Sequence, residues 1–196
     1  EHGRRYIMWD DTFQDAQRVS AIRIFSNNLG RNIGTWNGTE YEGAEFQDGT
    51  FSLPSLSYLL IDTNGDYLNG SFFSTSGAPA LRELHSNGVG WGEAFTDGTP
   101  FPSFAGNTNL YRVDLRNNKF KGTITLNNLN RLRFFYASQN IISSIGALSN
   151  LNRLNYFYAA NNEISGSVPD FSTAAPNLQF CGLNNNQINA YTVGSL

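Results

Sequence analysis

Hydrophobic residues recur along this chain in one spacing pattern. Apolar side chains occupy its first, fourth, sixth and eleventh positions, asparagine occupies the ninth, and the other positions are mostly polar. Copies of the pattern begin at Val19, Leu56, Leu81, Leu110, Leu132, Leu154 and Leu178, and the last four starts lie about 22 to 24 residues apart. A repeat of this length predicts a solenoid in which each copy buries its apolar side chains against its neighbours.

The middle of each copy predicts a short β-strand. In the copy that begins at Leu110, the apolar residues Val113 and Leu115 alternate with polar ones, as in a strand with one buried face. One strand of this length is not stable alone. We therefore expect the strands of successive copies to form a parallel sheet along the solenoid.

The recurrent asparagine predicts a ladder at the turn that follows each strand. An amide side chain both donates and accepts, so Asn118 and its equivalents can satisfy backbone groups that the turn leaves unpaired. The copy that begins at Leu81 has Val89 at the ninth position, and we expect Asn87 to replace the asparagine there.

One turn carries a family resemblance. The segment from Ile164 to Pro169, Ile-Ser-Gly-Ser-Val-Pro, resembles the L-S-G-x-I-P turn of plant-type leucine-rich-repeat proteins. The resemblance implies an α/β-type repeat solenoid, mostly strands and irregular turns, that is curved, with the parallel sheet on its concave face and irregular turns on its convex side. The asparagine-rich, lysine-poor repeats are most similar to those of bacterial surface and phage virion proteins, which implies an extracellular or virion-surface location.

The pattern also predicts how the chain is divided. Residues 1–18 are expected to form an N-terminal capping segment with a short helix, and residues 19–196 a solenoid of about seven repeats. The longer intervals between early copies predict insertions at 30–55 and 86–106. Trp36 and Trp91 lie in these insertions, where each is either an exposed anchor or a cap on the core.

The third and fifth positions of each copy are predicted to face solvent from the sheet. In the last three copies they are largely aromatic, and neighbouring parallel strands lie about 4.8 Å apart, so the rings should form contiguous columns. Exposed aromatic patches often mark interaction sites, although such rings can also stabilise a sheet by cross-strand contact. The candidate ligand-binding residues are Tyr58, Phe134, Tyr136, Tyr156, Tyr158 and Phe180.

Charged residues at neighbouring exposed positions form a secondary candidate patch. Its members are His85, Arg112, Asp114 and Arg116. Two interpretations stay open: the patch orients a partner, or it is simply a solvated face.

Composition narrows the classes of function. The net charge of -3 provides no basic footprint, so nucleic acid is not an expected partner. No apolar stretch reaches the roughly 18 to 20 residues of a membrane span. Cys181 is the single cysteine, so no intrachain disulfide is expected, and the absence of an initiator methionine suggests a processed or partial chain.

Candidate catalytic and metal-binding motifs are weak. The segment Asp62-Thr-Asn-Gly-Asp66 alternates oxygen ligands but has Phe73 where a calcium loop needs its twelfth-position acid. The only histidines are His2 and His85, and the position of Cys181 predicts an inert core thiol. The acids that favour glycoside hydrolysis most are Glu40, Glu42, Glu45 and Asp48, in the first insertion. Glycosylation sequons stand at Asn37 and Asn69.

These observations predict a protein that is not an enzyme and that holds no cofactor or metal. The favoured interpretation is a noncatalytic recognition and adhesion module that binds a protein or a surface glycan through its concave face. The alternative is a structural spacer, fibre or decoration subunit that self-associates along the solenoid axis.

Overall fold

The computed structural model describes residues 20–25, 35–36, 41–42, 53–62, 75–88 and 98–191. Strands dominate these ranges, with one short 3-10 turn at Thr75–Gly77 and one four-residue helix, α1, at Phe171–Ala174. The strands are β1 Ala21–Phe25, β2 Thr35–Trp36, β3 Tyr41–Glu42, β4 Tyr58–Asp62, β5 Glu83–His85, β6 Thr99–Pro100, β7 Arg112–Asp114, β8 Phe120–Asn127, β9 Phe134–Tyr136, β10 Ile141–Ser149, β11 Tyr156–Tyr158, β12 Ser165–Val168, β13 Phe180–Gly182 and β14 Gln187–Tyr191.

The main sheet contains one strand from each predicted copy of the repeat. Its order is β1-β4-β5-β7-β9-β11-β13, and every neighbouring pair is parallel. Equivalent positions of the repeat lie opposite one another, as Phe135 does between Val113 and Phe157. The predicted solenoid with a parallel sheet is therefore confirmed.

The core lies on the inner face of this sheet. In β5, β9 and β11 the central, fourth-position residue is buried between two partly exposed neighbours. The first-position leucines that precede these strands, Leu81, Leu132 and Leu154, have no exposed surface. Because the same positions are apolar in successive copies, their side chains form one continuous core along the described repeats.

The asparagine ladder is also confirmed. The side-chain nitrogen of Asn140 donates to the carbonyls of Ala137 in its own repeat and Leu115 in the preceding one, at 3.1 and 3.0 Å. Its side-chain oxygen accepts from the backbone N–H of Phe120 at 3.0 Å. Asn162 and Asn186 each make the equivalent three bonds, so consecutive repeats are tied together at the same point.

The expectation that Asn87 replaces the missing ladder asparagine is wrong. Its side-chain oxygen accepts instead from the exposed Asn117 at 2.7 Å, at the surface of the protein. Asn117 has a positive φ of 56° and stands one residue before the ladder position, in the left-handed conformation that asparagine tolerates better than most residues. Asn87 therefore belongs to an outer row of amides rather than to the buried ladder.

The return half of the repeat is more regular than predicted. The family resemblance implied irregular turns there, but β6, β8 and β10 form a second parallel sheet, and β12 pairs with β14. The eleventh-position residues Phe120, Ile142 and Ile164 are buried at or near the start of this half. Because the stacking that aligns the main sheet also aligns the segments after the asparagine, their backbones pair as strands.

A tight turn precedes each strand of the main sheet from β4 to β13. The backbone N–H of Leu132 donates to the carbonyl of Leu129, three residues earlier, at 2.9 Å, and Leu154 bonds to Leu151 in the same way at 3.0 Å. Equivalent bonds precede Leu56, Leu81, Leu110 and Leu178. The residue just before each leucine therefore stands at a turn beside the sheet.

Several predicted features lie outside the described residues. These are the N-terminal cap at 1–18, the loop around Trp91, the Asp62–Asp66 side chains and the sequon asparagines. None of the helices in the described ranges is long and apolar enough to cross a membrane.

Candidate recognition surface

The outer face of the main sheet carries two columns of aromatic rings. They arise because side chains alternate along each strand, so that the residues on either side of a buried fourth position point away from the core. We call their five rings the aromatic strip: Phe134, Tyr136, Tyr156, Tyr158 and Phe180. The rings therefore lie in the two columns that the third and fifth positions of the repeat predict.

The third-position column is a continuous stack. The ring centroids of Phe134 and Tyr156 lie 5.2 Å apart with 20° between their planes, and those of Tyr156 and Phe180 lie 4.9 Å apart at 10°. Phe180 is 50% exposed, the only large hydrophobic residue of the described chain classed as exposed. The outer surface of the stack is thus accessible to solvent, and it is most exposed at Phe180 on β13.

The fifth-position column ends on a glycine. The rings of Tyr136 and Tyr158 stack with centroids 5.6 Å apart. Gly182 follows Tyr158 in register, and a β-carbon built there would lie 2.4 Å from Cδ1 of Tyr158. The Tyr158 ring therefore lies directly over the backbone of β13, a position that only glycine allows without movement.

Three arginines contact the other end of the strip, and the guanidinium of Arg133 lies 5.6 Å from the ring centroid of Phe134. The guanidinium of Arg112 lies 5.2 Å from the ring centroid of Tyr136 and 6.0 Å from that of Phe134. Arg116 lies 5.2 Å from the Tyr136 centroid. These distances are those of cation–π contacts, so the three arginines add positive charge beside the strip.

The secondary patch is built around a buried carboxylate. Asp114 was predicted to be an exposed fifth-position residue, but it is only 3% exposed. Nε and Nη2 of Arg116 donate to the two carboxylate oxygens of Asp114 at 2.8 and 2.6 Å. Nη2 of Arg112 lies 3.6 Å from Oδ2 of the same carboxylate. The two guanidinium groups cover the short side chain, so the interpretation as a simply solvated face is wrong for Asp114.

These contacts perturb the titration of their members. Burial raises the pKa of the Tyr136 hydroxyl, against the opposing effect of Arg112 and Arg116. The hydrogen bonds to Asp114 raise the pKa of Arg116. Tyr136 therefore stays neutral and Arg116 stays charged throughout the neutral range. Nε of Arg112 is buried and has no hydrogen-bond partner among the described residues.

The remaining candidates form a separate group on β4 and β5. The Tyr58 ring centroid lies 5.5 Å from that of His85, and Nε2 of His85 lies 3.3 Å from Oε2 of Glu83. Strand β7 separates β5 from the first strand of the aromatic strip. Tyr58 and His85 are thus on the same sheet as the strip but outside its ring stack.

No cofactor site is evident in the described ranges. Within them, no group of three or more His, Cys, Asp and Glu side chains is placed to hold a metal ion. Cys181 is a free, half-buried thiol packed against the core, and burial raises its pKa to about 11. The expected inert core thiol agrees with this placement.

Sequence reasoning missed a groove beside the main sheet. It has a volume of about 700 Å³ and is lined by side chains of the pre-strand turns and of the second positions, among them Arg82, Arg131, Arg133 and Arg153. The net charge of the whole chain gives no indication of this local cluster of arginines. The signal that reveals it is the recurrence of arginine or asparagine directly before or after the first-position leucine.

The sheet order, the ladder and the buried leucines define a leucine-rich-repeat solenoid. Among solved structures, the chain is similar to the plant peptide hormone receptor RGFR1 in complex with RGF2, with 22% identity and a TM-score of 0.51, covering 69% of this chain and 25% of that one. It also matches an internalin from Listeria monocytogenes with 17% identity and a TM-score of 0.32, covering 70% of this chain and 57% of that one. This chain therefore spans about a quarter of the receptor chain.

The receptor comparison supports the fold and nothing beyond it. No protein-family model matches the chain, and no curated protein sequence matches it.

Proposed function

We propose that this chain is a noncatalytic recognition module that binds a protein partner through the aromatic strip and the adjoining Arg112 and Arg116. The observation that carries the proposal is an ordered stack of rings on the solvent side of the sheet that ends in the half-exposed Phe180. Following the resemblance of the repeats, the module acts on an extracellular or virion surface.

The chemistry of the strip suits a protein interface. Tyrosine, tryptophan and arginine supply a large share of the binding energy in protein interfaces, because they combine apolar area with polar tips. Rings that are already stacked lose little conformational freedom when a partner covers them. Tyr136 contacts both Tyr158 and the two guanidinium groups, which makes it the central residue of the strip.

The test uses the double substitution Tyr136→Ala with Tyr158→Ala. We expect the variant to keep the circular dichroism spectrum of the wild type and to lose capture of a specific protein in a pull-down. Leu148→Ala, which trims a half-buried side chain on the second sheet, serves as the control and should capture the same partner. A glycan array run in parallel reports the alternative ligand, a surface glycan. Unchanged capture by the double variant would refute the proposal.

A structural role is the second candidate, and one observation favours it. In the described sheet β13 is an edge strand, and it carries the most exposed ring, Phe180. An open edge with an exposed apolar residue can pair with a second copy along the solenoid axis. Sedimentation velocity over a range of concentrations distinguishes the two: polymers that Phe180→Ala abolishes support the structural role, and a concentration-independent monomer supports recognition.

A further inference from the structure

The groove beside the main sheet has a composition unlike that of the rest of the molecule. Four arginines line it, together with four asparagines and Tyr111, and no acidic side chain belongs to the lining. The chain as a whole has a net charge of -3. The groove is therefore a local concentration of positive charge on an acidic protein, and a concave site of this kind attracts anions.

The repeat builds this groove from two rows of side chains. One row stands at the pre-strand turns and includes Arg131 and Arg153, and the other stands at the second positions and includes Arg82 and Arg133. The second-position backbones continue the hydrogen-bonding of the sheet, since Arg133 N–H donates to Tyr111 and Asn155 N–H donates to Arg133. Both rows are thus held on a rigid scaffold.

Two of the four arginines are positioned by amides rather than by carboxylates. Nη1 of Arg131 donates to Oδ1 of Asn109 at 3.0 Å, and Nε of Arg133 donates to Oδ1 of Asn155 at 2.8 Å. The ion pairs of the described chain involve other residues, Glu83 with His85 and Asp114 with its two arginines. A guanidinium has five N–H donors, so each of these arginines keeps donors and its full charge for a ligand.

We infer that this groove binds an acidic polysaccharide, a chain of sugars that carries carboxylate or sulfate groups. The guanidinium groups match the planar oxygens of such anions. The asparagine side chains both donate and accept, as recognition of sugar hydroxyls requires. This site adjoins the aromatic strip at Phe134, which both Arg133 and Tyr111 contact, but the inference does not depend on the proposed protein partner.

Spacing favours a glycan over an acidic peptide. Successive repeats are about 4.8 Å apart along the groove. An extended peptide advances about 3.3 Å per residue and points alternate side chains to opposite sides, so its acids return to one side every ~6.6 Å. A peptide therefore falls out of register with the repeats, whereas in an acidic glycan every sugar can carry a charge.

The experiment is isothermal titration calorimetry of the whole chain with four polyanions and one neutral control. Polygalacturonate presents carboxylates, dextran sulfate presents sulfates, and neutral dextran presents only hydroxyls. Poly-glutamate and a single-stranded oligonucleotide represent the other two classes of polyanion. We expect binding of at least one acidic glycan, more tightly than poly-glutamate or the oligonucleotide, and no heat with neutral dextran.

The key variant is Arg131→Gln with Arg133→Gln, checked for folding by circular dichroism. It should weaken glycan binding at least tenfold, because each guanidinium that is removed takes with it charge-assisted hydrogen bonds to the anionic groups of the ligand. Lys119→Gln with Lys121→Gln removes the same charge from the region of β8 and should bind as the wild type does. If the first variant fails to fold, Arg153→Gln replaces it, because the guanidinium of Arg153 has no side-chain partner within the described ranges.

The results of this experiment test the groove without testing the aromatic strip. The inference is overturned if neither acidic glycan binds better than neutral dextran, if poly-glutamate or the oligonucleotide binds as tightly, or if the lysine control loses as much affinity. Tyr136→Ala with Tyr158→Ala should leave glycan binding unchanged, so failure of the protein-binding proposal leaves this one testable.

Discussion

The two faces of the main sheet carry aromatic stacks of nearly identical geometry. On the inner face, the centroids of Phe135 and Phe157 lie 5.1 Å apart with 21° between the rings. On the outer face of the same strands, Phe134 and Tyr156 lie 5.2 Å apart at 20°. Stacking geometry is set by the step between parallel strands and is the same whether or not the rings are buried. What differs is the surroundings.

The inner rings are enclosed on every side, and the outer rings are not. Phe135 and Phe157 have no exposed surface, and Phe171 from α1 packs edge-on against Phe157 at 5.1 Å. The outer stack is contacted only by its own members and, at the Phe134 end, by Tyr111 and three arginines. A ladder of stacked rings therefore contributes to the core on one side of a strand, while a ladder of the same geometry on the other side keeps surface accessible to solvent.

The largest expected effect comes from the inner face. Phe157→Ala removes a fully buried ring and leaves a cavity between Phe135 and Phe171, so we expect the free energy of unfolding to fall by about 3–5 kcal/mol. Urea denaturation followed by circular dichroism measures this change. A loss below ~1 kcal/mol would mean that the inner stack is not part of the core.

The same contrast exists between buried and exposed asparagines. Asn162→Ala leaves the buried N–H of Ile142 without its partner and removes one of the two side-chain bonds that the Ala137 and Ala159 carbonyls each accept, so it should destabilise the fold by about 1–3 kcal/mol. Asn152→Ala, its exposed control, removes a bond to Asn130 at the surface and should change stability by less than ~0.5 kcal/mol. Equal losses in the two variants would contradict the distinction between ladder and surface rows.

A smaller effect is expected where the outer column meets β13. Gly182→Ala places a methyl group against the Tyr158 ring and should destabilise the fold by about 1–2 kcal/mol. In the background of Tyr158→Ala the same change should be close to neutral, because the clashing ring is gone. A double-mutant cycle in urea measures the coupling, and additive losses would show that the ring does not lie over the glycine.

The smallest effect at neutral pH concerns Cys181, which neighbours Phe180 but lies on the inner side. Burial raises its pKa to about 11, so the folded thiol holds its proton more tightly than an unfolded thiol of pKa about 8.5. Its contribution to stability is complete below pH ~8.5 and is lost as the pH rises towards 11. Alkylation by iodoacetamide at pH 8 should be on the order of a hundredfold slower than in urea, and comparable rates would place Cys181 outside the core.

The sequence predicts the repeating parts of this molecule well, for local reasons. Strand alternation and a period of about 22 residues determine which side chains stack, so the main sheet, the ladder at Asn140 and the columns through Phe134 and Tyr136 follow without further information. The role of Asn87 does not follow, because a degraded copy no longer shows which of its residues aligns with Asn118.

Features that depend on several repeats at once were not predictable. Asp114 is buried because the side chains of Arg112 and Arg116 fold over it. The spacing of residues along the sequence does not predict in which direction such long side chains point. The second sheet arises from pairing between segments outside the pattern. The arginine groove combines turn residues and second positions from different repeats, and the net charge of the chain gives no sign of it.

The central claim is that the outer rings are available for binding and are not needed for folding. The most direct test compares Tyr156→Ala with Phe157→Ala, adjacent residues of β11 that face opposite sides. We predict that Tyr156→Ala lowers the free energy of unfolding by only about 1 kcal/mol, while it reduces partner capture as the Tyr136 and Tyr158 variant does. A loss of stability equal to that of Phe157→Ala, with capture unchanged, would show that the outer stack serves the fold and would contradict the account.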